Sequence, residues 1–314
     1  MEYTVTLQPS GKTYNSHKNE TILEAALRAG YNLKYQCDNG TCGGCKVRLL
    51  TGDINKIKPG EFVISEAEKE RGYFLPCAHE ATSNLVIEAE EFSRADEIPR
   101  QELAARVRKI EKVSPDVVIL QLRTPRTRTL RFLAGQSVML ELPDYSQRTL
   151  QVASCPCNGM QLEFHARYND QDLFSACVYD RLAVNDAVRI SGPVGDFVLD
   201  EASARPLVFI AHDTGFAGIK SLVEHVIALE VAQDILLCRI SCEPGKDYLH
   251  NICRSWADAI DNLHYQTYEY CQSVSQENVL DALDCENFLH FLGEQTKHDL
   301  ADCDIYLSGV ETVV

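Results

Sequence analysis

The chain has 314 residues, 45% hydrophobic and 24% charged, enough for two or three domains that each bury a core. A formal net charge of −16 argues against a nucleic-acid partner, and no apolar run approaches the ~18–20 residues that span a bilayer. Thirteen cysteines, odd in number and scattered, read as thiols or metal ligands in a reducing compartment; with no basic and apolar leader at the start, a cytoplasmic protein is expected.

In chain order, residues 1–92 read as a small α+β unit. Tyr3–Leu7 alternates like a strand, and Ser10-Gly11-Lys12 resembles a hairpin turn. Thr21-Ile22-Leu23-Glu24 is a capping box that opens a helix running to Ala29, and Gly30 stands where a C-cap glycine belongs. A glycine-rich cysteine loop follows, then a strand at Lys46–Leu50. Residues 93–100 read as a polar linker. Residues 101–202 are strand-rich, with Val117–Leu122, Ser137–Leu142, Leu150–Ala153, Gln161–Ala166 and Ala187–Ile190 separated by turn signals, as in a small antiparallel barrel. Residues 203–314 change rhythm. Apolar runs at Pro206–Ala211, Ile235–Ile240 and Ile305–Leu307, with a helical pattern at Ala217–Leu229, predict a mostly parallel α/β sheet. Charge is uneven: residues 240–304 hold 13 acidic and 3 basic side chains, either a solvated face or a surface that steers toward a basic protein.

The strongest motif is Cys37-Asp38-Asn39-Gly40-Thr41-Cys42-Gly43-Gly44-Cys45 with Cys77 downstream, the C-x4-C-x2-C…C spacing of plant-type [2Fe–2S] centres. Four thiolates hold two irons, and the glycines permit the dihedrals a wrapped loop needs while letting backbone N–H groups reach the sulfurs. A structural zinc site is the rival, but zinc usually takes two separated C-x2-4-C pairs and only Cys42 and Cys45 make one. Cys155, Cys157, Cys177, Cys238, Cys242, Cys253, Cys271, Cys285 and Cys303 read as small buried hydrophobes.

The cysteine loop and its surroundings resemble the ferredoxin family, which implies a β-grasp fold over residues 1–92 and metal ligands Cys37, Cys42, Cys45 and Cys77. Residues 101–314 resemble the ferredoxin-NAD(P) reductase superfamily. The resemblance is carried by Phe132-Leu133-Ala134-Gly135-Gln136, by Asp180-Arg181-Leu182 through Leu199, and by Ile210–His225 and Asp247-Tyr248-Leu249. It implies a six-stranded antiparallel FAD-type barrel at 101–202 and a nucleotide-binding-like domain at 203–314 that lacks the family's last helix. It also implies an oxidoreductase that passes electrons from NADH through FAD and the cluster to a redox partner such as an oxygenase or dehydrase.

The site positions depart from the family pattern. Its flavin motif is R-x-Y-S, whose Arg meets phosphate, whose Tyr packs on the flavin and whose Ser bonds near the reactive nitrogen. Here it reads Arg148-Thr149-Leu150-Gln151. His165, Arg167 and Ser175 are candidates for the FAD pyrophosphate, or else solvated strand and loop residues. The family's nucleotide turn, G-G-T-G-x-A-P, reads His212-Asp213-Thr214-Gly215-Phe216-Ala217-Gly218, with Thr214 and Gly215 kept and a carboxylate at Asp213 facing an anionic ligand. The family's C-G-P-type cysteine, which faces the nicotinamide, is replaced in Leu307-Ser308-Gly309-Val310 by a hydroxyl. The acidic 240–304 stretch argues against the 2′-phosphate of NADP. Two readings stand: an NADH-to-cluster reductase, or a reductase-derived scaffold without hydride chemistry that serves as a [2Fe–2S] electron-transfer subunit. A cluster-bearing redox sensor is a third class.

Overall fold

In the computed structural model the structure describes residues 2–59, 63–92, 94–241, 247–269 and 285–309. The N-terminal strands β1 (Glu2–Gln8) and β2 (Thr13–His17) form the expected hairpin. Helix α1 (Ile22–Arg28) starts on its capping box: Thr21 Oγ1 accepts from the Glu24 N–H, and the Glu24 carboxylate accepts from the Thr21 N–H. Ile22, Leu23, Ala25, Ala26 and Leu27 are all buried. Each of the larger side chains contributes about 1.5–3 kcal/mol by leaving water. The domain continues with β3 (Val47–Thr51), β4 (Ile54–Lys56), α2 (Glu66–Glu70), β5 (Tyr73–Phe74), β6 (His79–Ala81) and β7 (Leu85–Glu88). The main sheet runs β2-β1-β7-β3-β5, with β1 and β7 parallel, and its core includes Val5, Leu7, Leu85 and Ile87.

The second sheet is six-stranded and antiparallel. It is built from β8 (Gln101–Lys112), β9 (Val117–Arg123), β10 (Ser137–Glu141), β11 (Gln147–Gln151), β12 (Gln161–Arg167) and β13 (Ala187–Val194), with the short helix α3 (Leu173–Ala176) before the last strand. The order is β11-β10-β13-β8-β9-β12. Two features differ from the sequence reading. The sixth strand, β8, was not among the five expected runs, because its core-facing residues are Leu103, Ala105, Val107 and a half-buried Ile110, and most other positions are charged. The strand expected at Leu150–Ala153 begins earlier: Gln147–Gln151 pairs with β10, while Val152 and Ala153 leave that ladder to bond Gln136 and Glu163. That departure links the two outermost strands, β11 and β12, and nearly closes the barrel.

The third sheet is parallel, ordered β16-β15-β14-β17. Its elements are β14 (Leu207–His212), α4 (Phe216–Ala228), β15 (Ile235–Ser241), α5 (His250–Ala259), β16 (Leu263–Glu269), α6 (Cys285–Gln295) and β17 (Asp304–Ser308). β15 is buried along its whole length, as a central parallel strand covered on both faces must be. α5 and β16 lie in the stretch read only for its charge; β16 is an edge strand whose polar, half-buried residues give no apolar run. Cys155, Cys177, Cys238, Cys253 and Cys303 are buried free thiols and Cys157 is half-buried. Cys242, Cys271 and residues 310–314 lie outside the described residues, as does the Cys285 side chain. Among the described residues no helix is long and apolar enough to cross a membrane.

Candidate iron–sulfur centre and flavin–nucleotide crossing

The four motif cysteines come together at one edge of the first domain. Cys37, Cys45 and Cys77 are buried and Cys42 is exposed. They stand as two pairs: Cys37 shares a hydrogen bond with Cys42, and Cys45 Sγ lies 3.2 Å from Cys77 Sγ. Gly40 and Gly43, at φ +79° and +74°, turn the loop around the sulfurs. The Gly44 N–H donates to Cys42 Sγ at 3.3 Å. Burial raises the Cys37 thiol, but the Cys42 hydrogen bond and the N–H groups of Asn39, Cys42 and Thr41 outweigh it and hold Cys37 below its ordinary value. Two thiol pairs supplied with N–H donors fit a binuclear cluster, one pair per iron. Among the described residues no three His, Cys, Asp or Glu side chains converge on a single mononuclear position. The loop abuts the barrel, where the Asp38 N–H meets the Arg126 carbonyl at 3.4 Å and Tyr35 packs against Gly159.

On the barrel, Arg148 pairs with Asp172 at 2.9 Å, and Asp172 also accepts from the N–H groups of Phe174 and Ser175 at the start of α3. Thr149 is exposed, and Leu150 is half-buried against the barrel core. Ser175 is spent on its own loop, donating to the Asn169 carbonyl at 3.0 Å and accepting from the Asn169 N–H at 3.0 Å. His165 is fully enclosed; its Nδ1 meets the Tyr248 hydroxyl at 3.0 Å and its Nε2 meets Glu163 at 3.2 Å. Arg167 is held by Asp116 and Asp213. The three residues proposed for a pyrophosphate are therefore engaged by groups of this chain.

The nucleotide turn packs into the same seam. Asp213 adopts φ +51°, a left-handed conformation that is costly for a non-glycine residue, and directs its carboxylate onto Arg167. Thr214 and Gly215 follow; a Cβ on Gly215 would lie 2.5 Å from the Gly309 nitrogen, so the turn sits on the end of β17. Lys220 on α4, 7% exposed, pairs with Glu224 one turn along the same helix at 2.6 Å and reaches across the seam to Glu163 at 3.2 Å. Burial alone would raise the Glu163 carboxyl, but the His165 hydrogen bond and the Lys220 charge outweigh it and hold it at about 2. Burial lowers His165 below its ordinary value despite Glu163. Gln151 crosses to the parallel sheet, accepting from Ser308 Oγ at 3.0 Å.

The framework thus fits FAD, while the residues that would meet it are turned onto internal partners. A dinucleotide phosphate does not fit the turn in this arrangement, because Asp213 supplies the negative charge that Arg167 neutralises. Sequence reading picked out Gln151 and Ser308 separately and missed that they touch. It missed Glu163, Lys220, Glu224 and Asp172. The one available signal was the Lys220/Glu224 spacing of four within an apolar helix.

Comparison with known proteins supports the framework. The family description "2Fe-2S iron-sulfur cluster binding domain" matches residues 5–82, and "oxidoreductase FAD-binding domain" matches residues 104–199. The chain is 31% identical over 265 residues to CDP-6-deoxy-L-threo-D-glycero-4-hexulose-3-dehydrase reductase of Yersinia pseudotuberculosis, covering 84% of this chain and 79% of that one. It is 31% identical to the terephthalate 1,2-dioxygenase reductase component 1 of Comamonas sp, covering 84% and 78%. The solved structure of the Amycolatopsis cytochrome P450 reductase GcoB has the same fold, with TM-score 0.53, 21% identity, and coverage of 98% of this chain and 99% of that one.

Proposed function

The chain belongs to the ferredoxin-NAD(P) reductase superfamily, in the group with an N-terminal [2Fe–2S] domain, and from that premise we propose that it is a reductase component passing electrons from NADH through FAD and the cluster to a partner oxygenase or dehydrase. The observation that carries the reading is one chain holding a four-thiol loop in two pairs directly against an FAD-type barrel. FAD supplies the conversion of a two-electron hydride into single electrons, which the cluster accepts one at a time. Cys37 and Cys42 hold one iron, Cys45 and Cys77 the other. Residues 1–92, 101–202 and 203–314 are the cluster, flavin and nucleotide units, joined at 93–100 by a linker, and the protein works in the cytoplasm.

A second reading, a scaffold that keeps the cluster for electron transfer and has lost hydride chemistry, is favoured by the Asp213–Arg167 pair in the nucleotide turn. An anaerobic titration of the holoprotein separates the two. Rapid bleaching of flavin and cluster by NADH is expected; bleaching by dithionite with none by NADH would replace the first reading with the second.

A further inference from the structure

Cys155 and Cys157 flank Pro156 at the start of a short 3-10 turn, Pro156–Asn158, between β11 and β12. Pro156 is buried and its ring fixes the backbone between the two thiols. Cys155 Sγ accepts from the Cys157 N–H at 3.3 Å, and the two sulfurs are hydrogen-bonded to each other. Cys155 is buried; Cys157 is half-buried, the one described cysteine outside the iron–sulfur loop that is not enclosed. Burial pushes the thiols of Cys177 and Cys253 up to about 11 and that of Cys238 up to about 12. Cys157 goes the other way. The Cys155 hydrogen bond is the largest influence on it and, with the Lys220 ammonium, holds it below its ordinary value against burial and the Glu224 carboxylate. The same hydrogen bond and burial push Cys155 well above its own. One sulfur therefore keeps the proton and the other has thiolate character. The turn lies where three units meet: Glu224 of α4 accepts from the Cys155 N–H at 3.0 Å, and a Cβ on Gly159 would lie 2.9 Å from the Tyr35 hydroxyl of the cluster domain.

We propose that Cys155 and Cys157 are a peroxide-responsive dithiol, in which Cys157 attacks the oxidant and Cys155 resolves the product to a reversible disulfide. The Cys157 thiolate attacks one oxygen of hydrogen peroxide; an S–O bond forms, the O–O bond breaks, and hydroxide leaves and takes up a proton as water. Cys155 then gives up its proton and attacks the Cys157 sulfur; the S–S bond forms, the S–O bond breaks, and the second oxygen leaves as water. Two thiols lose one hydrogen each, and one peroxide becomes two waters. An accessible thiolate beside a resolving thiol is the arrangement such sensing needs. With a single residue between the sulfurs the bond closes a small ring, and strained disulfides are the ones that other thiols readily reduce. The dithiol is accordingly the resting form in a reducing compartment.

The test uses the full chain as purified and follows one peptide by mass spectrometry. Trypsin cuts after Arg148 and Arg167 and releases Thr149–Arg167, which contains Cys155 and Cys157 and no other cysteine. After brief exposure of the folded protein to hydrogen peroxide and alkylation in denaturant, this peptide should have lost two hydrogens and taken up no alkyl group. Dithiothreitol should restore both thiols. Before oxidation, iodoacetamide should label Cys157 of the folded chain at least about tenfold faster than Cys155, the effect of one unit of difference in thiol acidity. In Cys155→Ser, Cys157 should be trapped as a sulfenic acid by a dione probe, and in Cys157→Ser, Cys155 should stay alkylatable. Recovery of both thiols fully alkylated after peroxide, or a disulfide that forms no faster in the folded chain than in urea, would overturn the proposal. A Cys155 sulfenic acid in Cys157→Ser that forms as fast as the Cys157 one in Cys155→Ser would overturn the assignment of attacking and resolving sulfur.

Discussion

The cysteine loop and the barrel–sheet seam descend from the same family pattern and depart from it to different degrees. The loop keeps four thiols, the turning glycines and the N–H donors aimed at sulfur. The seam keeps its strands and its helix but departs from the family pattern at cofactor-facing positions: Gln151 bonds Ser308 and Asp213 bonds Arg167, with Glu163 and Lys220 paired alongside. The physical difference lies in what each region must tolerate. A cluster is held by covalent coordination from four side chains, so any one ligand is indispensable. A dinucleotide is held by many weak polar contacts, and this chain satisfies such groups internally without losing the fold.

The largest expected effect tests the first half of that contrast. Cys77→Ser leaves one iron with a single thiolate, and the purified protein should lose the visible absorption of the cluster and all electron delivery. Retention of iron and acid-labile sulfide at two each per chain would refute the ligand assignment. The seam should instead respond in stability. Lys220→Ala leaves Glu163 and Glu224 facing each other inside the barrel–sheet interface without their shared cation. Removing one partner of a buried ionic cluster typically costs about 3–5 kcal/mol, measurable as a lower midpoint in urea with the cluster spectrum intact below the transition. A change below about 1 kcal/mol, the range of exposed pairs, would show that the interface is wet and that Lys220 does not hold it.

How much of this was legible beforehand follows the same division. Cysteine spacing is local, and three of the four ligands sit within nine residues, so the loop could be read directly. The capping box at Thr21 and Glu24 was likewise visible because both partners lie on one turn. β8 was hidden by its charged outward face, and β16 by its place at a sheet edge. The seam was illegible for a different reason. Gln151 and Ser308 are 157 residues apart, and Glu163 meets Lys220 only after barrel and sheet have packed. Composition could mark the substitutions at Gln151, Asp213 and Ser308 as departures but could not show what each had found as a partner.

A smaller effect bears on whether the turn retains a latent site. Asp213→Gly removes the carboxylate at the α4 approach and relieves a left-handed residue. It also removes one of the two carboxylates that hold Arg167, leaving the guanidinium paired with Asp116 alone. Two charges about 4 Å apart near a protein surface interact by roughly 1–4 kcal/mol, so NADH affinity should rise at least about fivefold by equilibrium titration. Unchanged affinity would mean that the turn is no relic of a nucleotide site, and the seam would then be scaffold alone.

The smallest effect is a pH dependence that belongs to the seam. Glu163 is held at about 2 in the folded chain, below its ordinary 4.5. Its contribution to stability is therefore complete above about 4.5 and is lost as pH falls toward 2, where the folded carboxyl at last takes a proton. His165 acts at higher pH with the same sign. Burial keeps it neutral in the folded chain, while the unfolded chain binds a proton below its ordinary 6.5, so stability falls with acid from there. Unfolding free energy should thus decline between pH 6.5 and 4.5 on account of His165 and more steeply below 4.5 as Glu163 joins. His165→Gln removes the upper part of that decline and leaves the lower part, because Lys220 still holds the Glu163 charge. If the variant and the parent lose stability in parallel from pH 6.5, the enclosed histidine is not the group that titrates, and the acid response belongs to charges elsewhere on this strongly acidic chain.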